Sequence, residues 1–424
     1  MSKCHAITCV GWWLVLLCFM APSQAQLPTT KPAELRVFLA TFGPGDDVYE
    51  RWGHNILIIE NPQVQRKVAY HYGLFDFNQP NFIGRFVRGR MLYSMGAIPS
   101  EYVDPVVQGY VDEDRDVWMQ ELNLSQPQVH RLLDYFEVNY QPENREYLYE
   151  YYRANCSTKL RDAIDHALGG QLRNQWAGLW TDNSYRRYTR IGGSGNFFIY
   201  TGLSLAMSSS LDRPMSVWQE AFVPMILREQ LGRVIIAGSP LVKTEQVLHV
   251  SQHLRLPYRP PMWIPIYLAI GLFIGGAMLM CGMRFHRTRW SDRALRFLMF
   301  TWSLVCGLAG LFLLFIWCFT NHVSAHANQN LLLFSPLSFA MMVLASAAVK
   351  GKPRGRLALP LARVIVLLAI GSLVLKILPV SRQHNWEMFA LAMPVHLGMM
   401  FALTVPRNKS VLETDAKQAL QTGV

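Results

Sequence analysis

The sequence predicts an α+β exported domain followed by an all-α bundle of five transmembrane helices. Three observations lead there. The 424 residues are 51% hydrophobic, too apolar for an ordinary soluble pair of domains. The apolar excess is concentrated in a short N-terminal run and in the stretch after Met262, while the middle reads as globular. The net charge of +11 is carried largely by arginines and lysines that flank apolar runs. Placed there, it sets membrane orientation and gives no reason to expect nucleic acid as a partner.

The N-terminus opens with Lys3, an apolar run from Ile7 to Met20, and then Pro22, Ser23 and Ala25. Small residues at Ser23 and Ala25 fit an export-signal cleavage site, which places a signal peptide at 1–25 and the exported domain at 26–258. Leu17 before Cys18 is too bulky for a lipidation site.

A bilayer core takes about 20 apolar residues per helix. Runs of that kind occur at 262–283, 297–319, 329–349, 359–380 and 387–405. Between the first two lie Arg284, Arg287, Arg289, Arg293 and Arg296 against Asp292. Between the third and fourth lie Lys350, Lys352, Arg354 and Arg356. The other two connections hold Asn321, His322 and His326, and Arg382 with His384. Cationic loops belong in the cytoplasm. The exported domain and the histidine-bearing loops are therefore expected in the periplasm of a bacterial inner-membrane protein, and the tail at 406–424 in the cytoplasm. Arg363 and Lys376 sit near opposite ends of the fourth span and can reach the interfaces. His396, mid-span in the fifth, reads equally as a functional group or a helix-packing one.

Of 7 cysteines, Cys4, Cys9 and Cys18 belong to the signal peptide and Cys281, Cys306 and Cys318 to the spans, leaving Cys156 in the exported domain. A lone thiol in an oxidising compartment is either buried and inert or needed for chemistry. Its neighbours favour chemistry. Leu160, Ala163, Ile164, Ala167 and Leu168 recur at a helical period that ends at Gly169-Gly170, so Cys156 falls on the inward face of the first turn, with Asn155 as cap. A helix N-terminus favours thiolate and offers free N–H groups to an oxyanion, with Asn155 and Ser157 in support.

A thiol nucleophile wants an imidazole base. His130 and His166 lie on helices at surface positions, and His249 and His253 just before the membrane. His54 follows Trp52-Gly53 and opens a β-branched strand to Glu60. Asn61-Pro62 turns the chain, and Lys67 to Phe77 reads as the returning strand. A third group must orient the imidazole. His71 and Asp76 both qualify, and periodicity does not choose between them.

The rest is less specific. Tyr147 to Tyr152 fits a strand or a tight helix, and Arg85, Arg88 and Arg90 form a basic cluster that reads as a solvated face or a headgroup contact. Gly192, Gly193 and Gly195 lack the lysine and spacing of a phosphate loop and read as a flexible connection. Pro214 to Leu231 reads as an amphipathic helix lying against the bundle or the membrane surface. No zinc-ligand spacing and no internal repeat occurs, so no metal or other cofactor is expected.

Trp52-Gly53-His54 with its strand, Tyr72-Gly73-Leu74-Phe75-Asp76-Phe77, Asn81-Phe82, Phe86-Val87-Arg88-Gly89 with Tyr93, and Asn155-Cys156-Ser157-Thr158 with Arg161-Asp162 resemble the periplasmic domain of Lnb-type bacterial lipoprotein N-acyltransferases. The five spans resemble the longer members of that family. The resemblance runs from Glu34 to Thr404. It implies a circularly permuted papain-like fold, with the histidine strand before the cysteine helix. Cys156 then matches the nucleophile and His54 the base; the match does not fix the third member, which we assign to His71. The implied partners are a glycerophospholipid acyl donor, a lipoprotein acceptor and the membrane. A periplasmic cysteine hydrolase (peptidase, amidase or lipid hydrolase) is the competing enzyme class, and a non-catalytic membrane assembly factor the third reading.

Overall fold

The computed structural model describes residues 34–76, 78–252, 256–283, 288–378 and 382–405. The signal peptide expected at 1–25, the tail at 406–424, Phe77 and His253 lie outside the described residues.

The exported part is built on one seven-stranded antiparallel sheet: β1 (Arg36–Phe42), β2 (His54–Asn61), β3 (Arg66–Leu74), β4 (Leu92–Ile98), β5 (Val117–Leu122), β6 (Glu146–Leu148) and β7 (Val242–His249), in the order β7-β5-β1-β2-β3-β4-β6. The alternation in β2 and β3 makes two apolar faces. Leu57, Ile59, Tyr70 and Tyr72 join Leu39 under α3 (Gln126–Tyr140) and α4 (Cys156–Ala167), where they meet Leu132, Phe136, Leu160 and Ile164. Ile56, Ile58 and Ala69 join Ala40 and Phe42 on the other face, covered by Val103 of α2 (Ser100–Asp112). The α4 stripe of Leu160, Ala163, Ile164 and Ala167 is fully buried. Burying a Leu or Ile contributes about 1.5–3 kcal/mol, so this face fixes the helix on the sheet. β3 ends at Leu74, short of the Phe77 expected.

A short helix α1 (Phe82–Val87) leads into β4, and α5 (Gln171–Trp176) follows α4. Next come α6 (Tyr185–Gly193) and α7 (Phe197–Ala206). The glycine stretch is therefore no loose connection: Gly192 and Gly193 end α6 and are buried. A Cβ on Gly192 would lie 2.4 Å from the Trp52 ring, so the glycine is there to admit that indole. The single helix expected over Pro214 to Leu231 is two, α8 (Val217–Glu220) and α9 (Pro224–Leu231). Pro224 supplies no N–H to continue α8, and α9 starts on it. These helices lie in the exported core, with Val217, Leu227 and Leu231 buried against the sheet and α4, and not on the bundle.

Among the described residues five helices are long and apolar enough to cross a membrane: Ile264–Gly282, Arg289–Phe319, Asn330–Val349, Pro353–Ile377 and Trp386–Thr404. The second starts earlier than the hydrophobic run because Arg289, Arg293 and Arg296 extend it as a polar first turn and beyond. The two parts are joined. Tyr200 of α7 is buried in the bundle core beside Trp263 at 4.7 Å, and Phe197 stacks on Tyr267 at 5.2 Å. Both histidine-bearing loops contact the exported part: Asn321 donates to the Arg88 carbonyl at 2.8 Å, and Arg190 to the His384 carbonyl at 2.8 Å. They therefore share its side of the bundle.

Candidate active site

Cys156 opens α4, and Asn155 caps it through a full capping box. The Asn155 carboxamide oxygen accepts the Thr158 N–H at 2.9 Å, and the Thr158 hydroxyl accepts the Asn155 N–H at 2.9 Å. The Asn155 amide also donates to the carbonyls of Phe222 at 2.9 Å and Tyr151 at 3.1 Å. Ser157 is buried, donates to the Ala221 carbonyl at 2.8 Å and receives the Asn55 amide at 3.3 Å. Both side chains expected to support an oxyanion thus hold the helix start in place. What the first turn turns toward the sulfur is backbone, the N–H groups of Cys156 and Ser157.

The thiol occupies a fork in the sheet. β2 and β3 pair from Asn61↔Arg66 to Leu57↔Tyr70 and then part, although β2 begins at His54 and β3 runs on to Leu74. From β2, the Asn55 N–H reaches the Cys156 sulfur. From β3, Gly73 stands opposite with φ +101°, and a Cβ there would lie 3.8 Å from the Cys156 Cβ. A side chain at that position would fill the space in front of the sulfur. It would also be strained, because that φ favours glycine. The residue adjoining His54 therefore touches the thiol.

By strand alternation Asn55 faces α4, while His54 and His71 face the α2 side. The imidazoles of His54 and His71 meet edge to face with centroids 5.8 Å apart, and neither has a hydrogen-bond partner among the described residues. His71 Nε2 lies where a Cβ on Gly96 would come within 2.7 Å, so that glycine makes the ring's room. Asp76 is exposed beyond the end of β3, and its carboxylate accepts the Asn78 N–H at 2.8 Å. The structure thus brings His54 and His71 together, sets the Cys156 sulfur against the backbone of Asn55, the residue next to His54, and leaves Asp76 out.

Burial sets the charges. Desolvation pushes His54 down to about 3, with the positive charges of His71 and Arg115 adding to it, and pushes His71 down to about 4. The thiol is pushed up to about 11 by burial, and the N–H groups of Asn55, Ser157 and Cys156 offset that only in part. The lowering expected from the helix N-terminus is thus outweighed: a charged sulfur 9% exposed loses more hydration than three N–H groups restore. At rest the thiol and both imidazoles are neutral.

The other histidines sit elsewhere. His130 and His166 are exposed, and His249 pairs with Asp114 at 2.7 Å. His396 is buried with two partners, the Trp302 indole N–H at 3.3 Å and the Leu333 carbonyl at 2.9 Å, which is the helix-packing reading. Among the described residues no group of three His, Cys, Asp or Glu is placed to hold a metal. Sequence reasoning missed Asn55 and Gly73. Their signal was adjacency, one beside His54 and the other inside the Tyr72-Gly73-Leu74 motif.

Residues 23–187 match the family described as the Lnb N-terminal periplasmic domain, and residues 259–408 match the Lnb transmembrane domain. His54, His71, Asn155, Cys156 and Ser157 all lie inside the first match, and all five apolar helices inside the second. No curated protein and no solved structure matches the chain.

Proposed function

We propose, for a chain that belongs to the Lnb family in both its periplasmic and its transmembrane domains, that it is a membrane-bound cysteine-dependent acyltransferase. Its product is the N-acylated form of a lipoprotein's N-terminal diacylglyceryl-cysteine. The observation that carries the reading is the Cys156 thiol at a helix N-terminus, held in the β2–β3 fork by the N–H of the residue adjoining His54.

In the first half-reaction His54, neutral at physiological pH, removes the thiol proton as the sulfur attacks an ester carbonyl of a glycerophospholipid. The N–H groups of Cys156 and Ser157 receive the developing oxyanion. The ester C–O bond breaks, the lysophospholipid oxygen takes the proton from His54, and a Cys156 thioester remains. In the second half the α-amine of the lipoprotein cysteine attacks the thioester. An amide forms, the amine proton passes through His54 to the sulfur, and the thiol is restored. His71 orients His54. Because both thiol and base start neutral, proton transfer accompanies attack and does not precede it.

A cysteine hydrolase would use the same groups but needs water at the thioester. The burial of Cys156 supports transfer over hydrolysis. The family match supports an inner-membrane protein with its N-terminal domain in the periplasm. A cleaved signal peptide at 1–25 and a cytoplasmic C-terminus complete the proposal. The test is the intact mass of a reporter lipoprotein's N-terminal peptide, from cells depleted of their own N-acyltransferase. A third acyl chain with the wild-type chain, absent with Cys156→Ala and His54→Ala, is the expected result. A reporter that stays diacylated beside well-expressed wild-type protein removes the reading.

A further inference from the structure

A second site lies within the membrane part. The first span (Ile264–Gly282) and the fifth (Trp386–Thr404) touch through their backbones. A Cβ on Gly271 would lie 2.6 Å from the Leu391 carbonyl oxygen, and one on Gly275 2.3 Å from that of Pro394. A Cβ on Gly398 would lie 2.2 Å from the Gly275 carbonyl oxygen. Beside this contact, Leu268, Leu272 and Leu279 of one helix and Met393, Leu397 and Phe401 of the other wall a groove of about 560 Å³. Its lining side chains are apolar save for the Trp386 indole, and its volume is that of a small-molecule site.

The groove runs from Ile264 and Trp386, at the end nearer the exported domain, to Leu279 and Phe401. At about 1.5 Å per helical residue that is about 22 Å. The hydrocarbon of one leaflet is about 15 Å deep, so a chain entering from the outer leaflet lies in the groove along its whole depth. A second helix is a poorer occupant. Helices approach closely in a bilayer through small residues, and Gly271, Gly275 and Gly398 already face the other span. Gly276 faces the groove with nothing within 4 Å of where its Cβ would stand, but the leucines and Phe401 on either side hold a further backbone away.

The mouth carries a charge. Lys376, near the end of the fourth span, holds its ammonium over the Trp386 ring at 4.7 Å and donates to the Gln383 carbonyl and the Asn385 carboxamide oxygen. Both acceptors are neutral, and among the described residues no carboxylate is paired with it. A cation beside an interfacial indole, above an apolar slot, suits a phosphate that overlies an acyl chain.

We propose that this groove binds one acyl chain of an outer-leaflet phospholipid, whose phosphate meets Lys376 at the mouth. The site is separate from the fork around Cys156 and does not depend on the acyl-transfer reading.

The experiment titrates the full chain in detergent with phosphatidylglycerol and reads the lipid-bound fraction by native mass spectrometry. Gly276→Leu fills the groove and spares the fold, because no atom stands within 4 Å of the added Cβ and leucine favours a helix over glycine. Gly371→Leu, in the fourth span and also without a neighbour within 4 Å, is the control outside the groove. Affinity for one phosphatidylglycerol is expected to fall about tenfold or more with Gly276→Leu, since the chain is then forced against the inserted side chain, and to hold with Gly371→Leu. Equal affinity in all three chains, an equal fall in both variants, or no lipid held by wild type overturns the site. A dimer that Gly276→Leu dissociates also overturns it, because a second copy of the chain then occupies the groove. The Lys376 contact is read from the lipid: a diacylglycerol of the same chains, which lacks the phosphate, should bind more weakly, and equal binding removes Lys376 from the site. A last readout locates the chain. Phosphatidylglycerol with a diazirine in its acyl chain is photolysed with wild type in nanodiscs. Adducts concentrated at 264–279 and 386–401 support the site, and labelling spread evenly over the five spans overturns it.

Discussion

Two polar regions lie on the periplasmic side of the bundle, and they differ in how far their polar groups are paired. The seam between the exported domain and the bundle is densely hydrogen-bonded, with the Arg190 Nε and the Ser204 hydroxyl left over. Asn328 and Asn330 donate to carbonyls of α7, Gln383 bonds Asn328 at 2.8 Å and the Met207 carbonyl at 3.0 Å, and Asn385 bonds Asn330 at 2.6 Å. Glu387 takes both the Arg190 guanidinium at 2.6 Å and the Tyr200 hydroxyl at 3.0 Å. The fork is open. His54 and His71 are partly buried without hydrogen bonds, and the Asn55 carboxamide oxygen is buried without a partner. Satisfied polar groups lock geometry, while unsatisfied ones cost stability and persist where a substrate is to supply the missing partner. The histidines illustrate the rule in one residue type, since His396 has two partners and His54 none.

The largest test of this contrast removes the groups themselves. Cys156→Ala is expected to abolish acyl-enzyme, and His54→Ala to slow its formation about 10²–10⁴-fold. Neither change is expected to lower the thermal midpoint by much, because the His54 ring has no hydrogen-bond partner among the described residues and the Cys156 sulfur is only a weak acceptor of backbone N–H groups. Loss of folding in either variant, seen by near-ultraviolet circular dichroism, would make the fork a structural element and break the comparison.

The seam should respond the other way. Glu387→Ala leaves the Arg190 guanidinium and the Tyr200 hydroxyl buried without their carboxylate. Orphaning a buried ion-pair partner costs about 3–5 kcal/mol. The expected outcome is a clear fall in the thermal midpoint of the detergent-solubilised protein. Equal stability of variant and wild type would mean the seam is wetter than its burial indicates.

Gly192→Ala tests a route from one region to the other. α6 is gripped by the seam through Arg190, and it holds Trp52 through the Tyr188 carbonyl at 3.1 Å and the bare face of Gly192. A methyl group there displaces the indole, and with it the start of β2. Overpacking of this kind costs about 1–3 kcal/mol. Misplacing a reacting group by about 1 Å slows chemistry about 100-fold. Activity should therefore fall much further than stability, and Trp52→Phe, which shrinks the ring, should restore part of it in the double variant.

How much of this was legible beforehand follows from which contacts are local. The α4 stripe, the Asn155 cap and the opening of β2 at His54 are periodic or adjacent in sequence, and all stand in the structure as read. The spans were legible because a bilayer imposes a length. The fork was not. It depends on where β2 and β3 stop pairing, which the alternation of either strand leaves open. Gly192 was read as loose chain because its partner, Trp52, is far away in sequence. The thiol's pKa direction was missed for the same reason. The helix N-terminus is a local feature, whereas the burial that outweighs it comes from the whole fold.

The smallest expected effect is an absence, and it separates the neutral pair from a preformed thiolate–imidazolium. With His54 pushed down to about 3 and the thiol up to about 11, both groups keep their protons as they are between those limits. The rate of Cys156 acylation should then change by no more than about twofold between pH 5 and pH 8. A base at the ordinary histidine value of about 6.5 would lose about 30-fold over that interval. Alkylation by iodoacetamide, which needs thiolate, should rise with pH and reach no plateau until about 11. The stability term has its own sign. The folded pKa of His54 and of His71 lies below the unfolded value, so folding favours the neutral rings. That contribution is present above about 6.5 and is lost as pH falls toward 3. Acid should therefore unfold the domain before it protonates the base. A midpoint that drops below pH 6 while the acylation rate of the folded protein holds steady is the signature of a histidine kept neutral by burial. An acid limb near pH 6.5 would instead show that substrate-free His54 is solvated and paired.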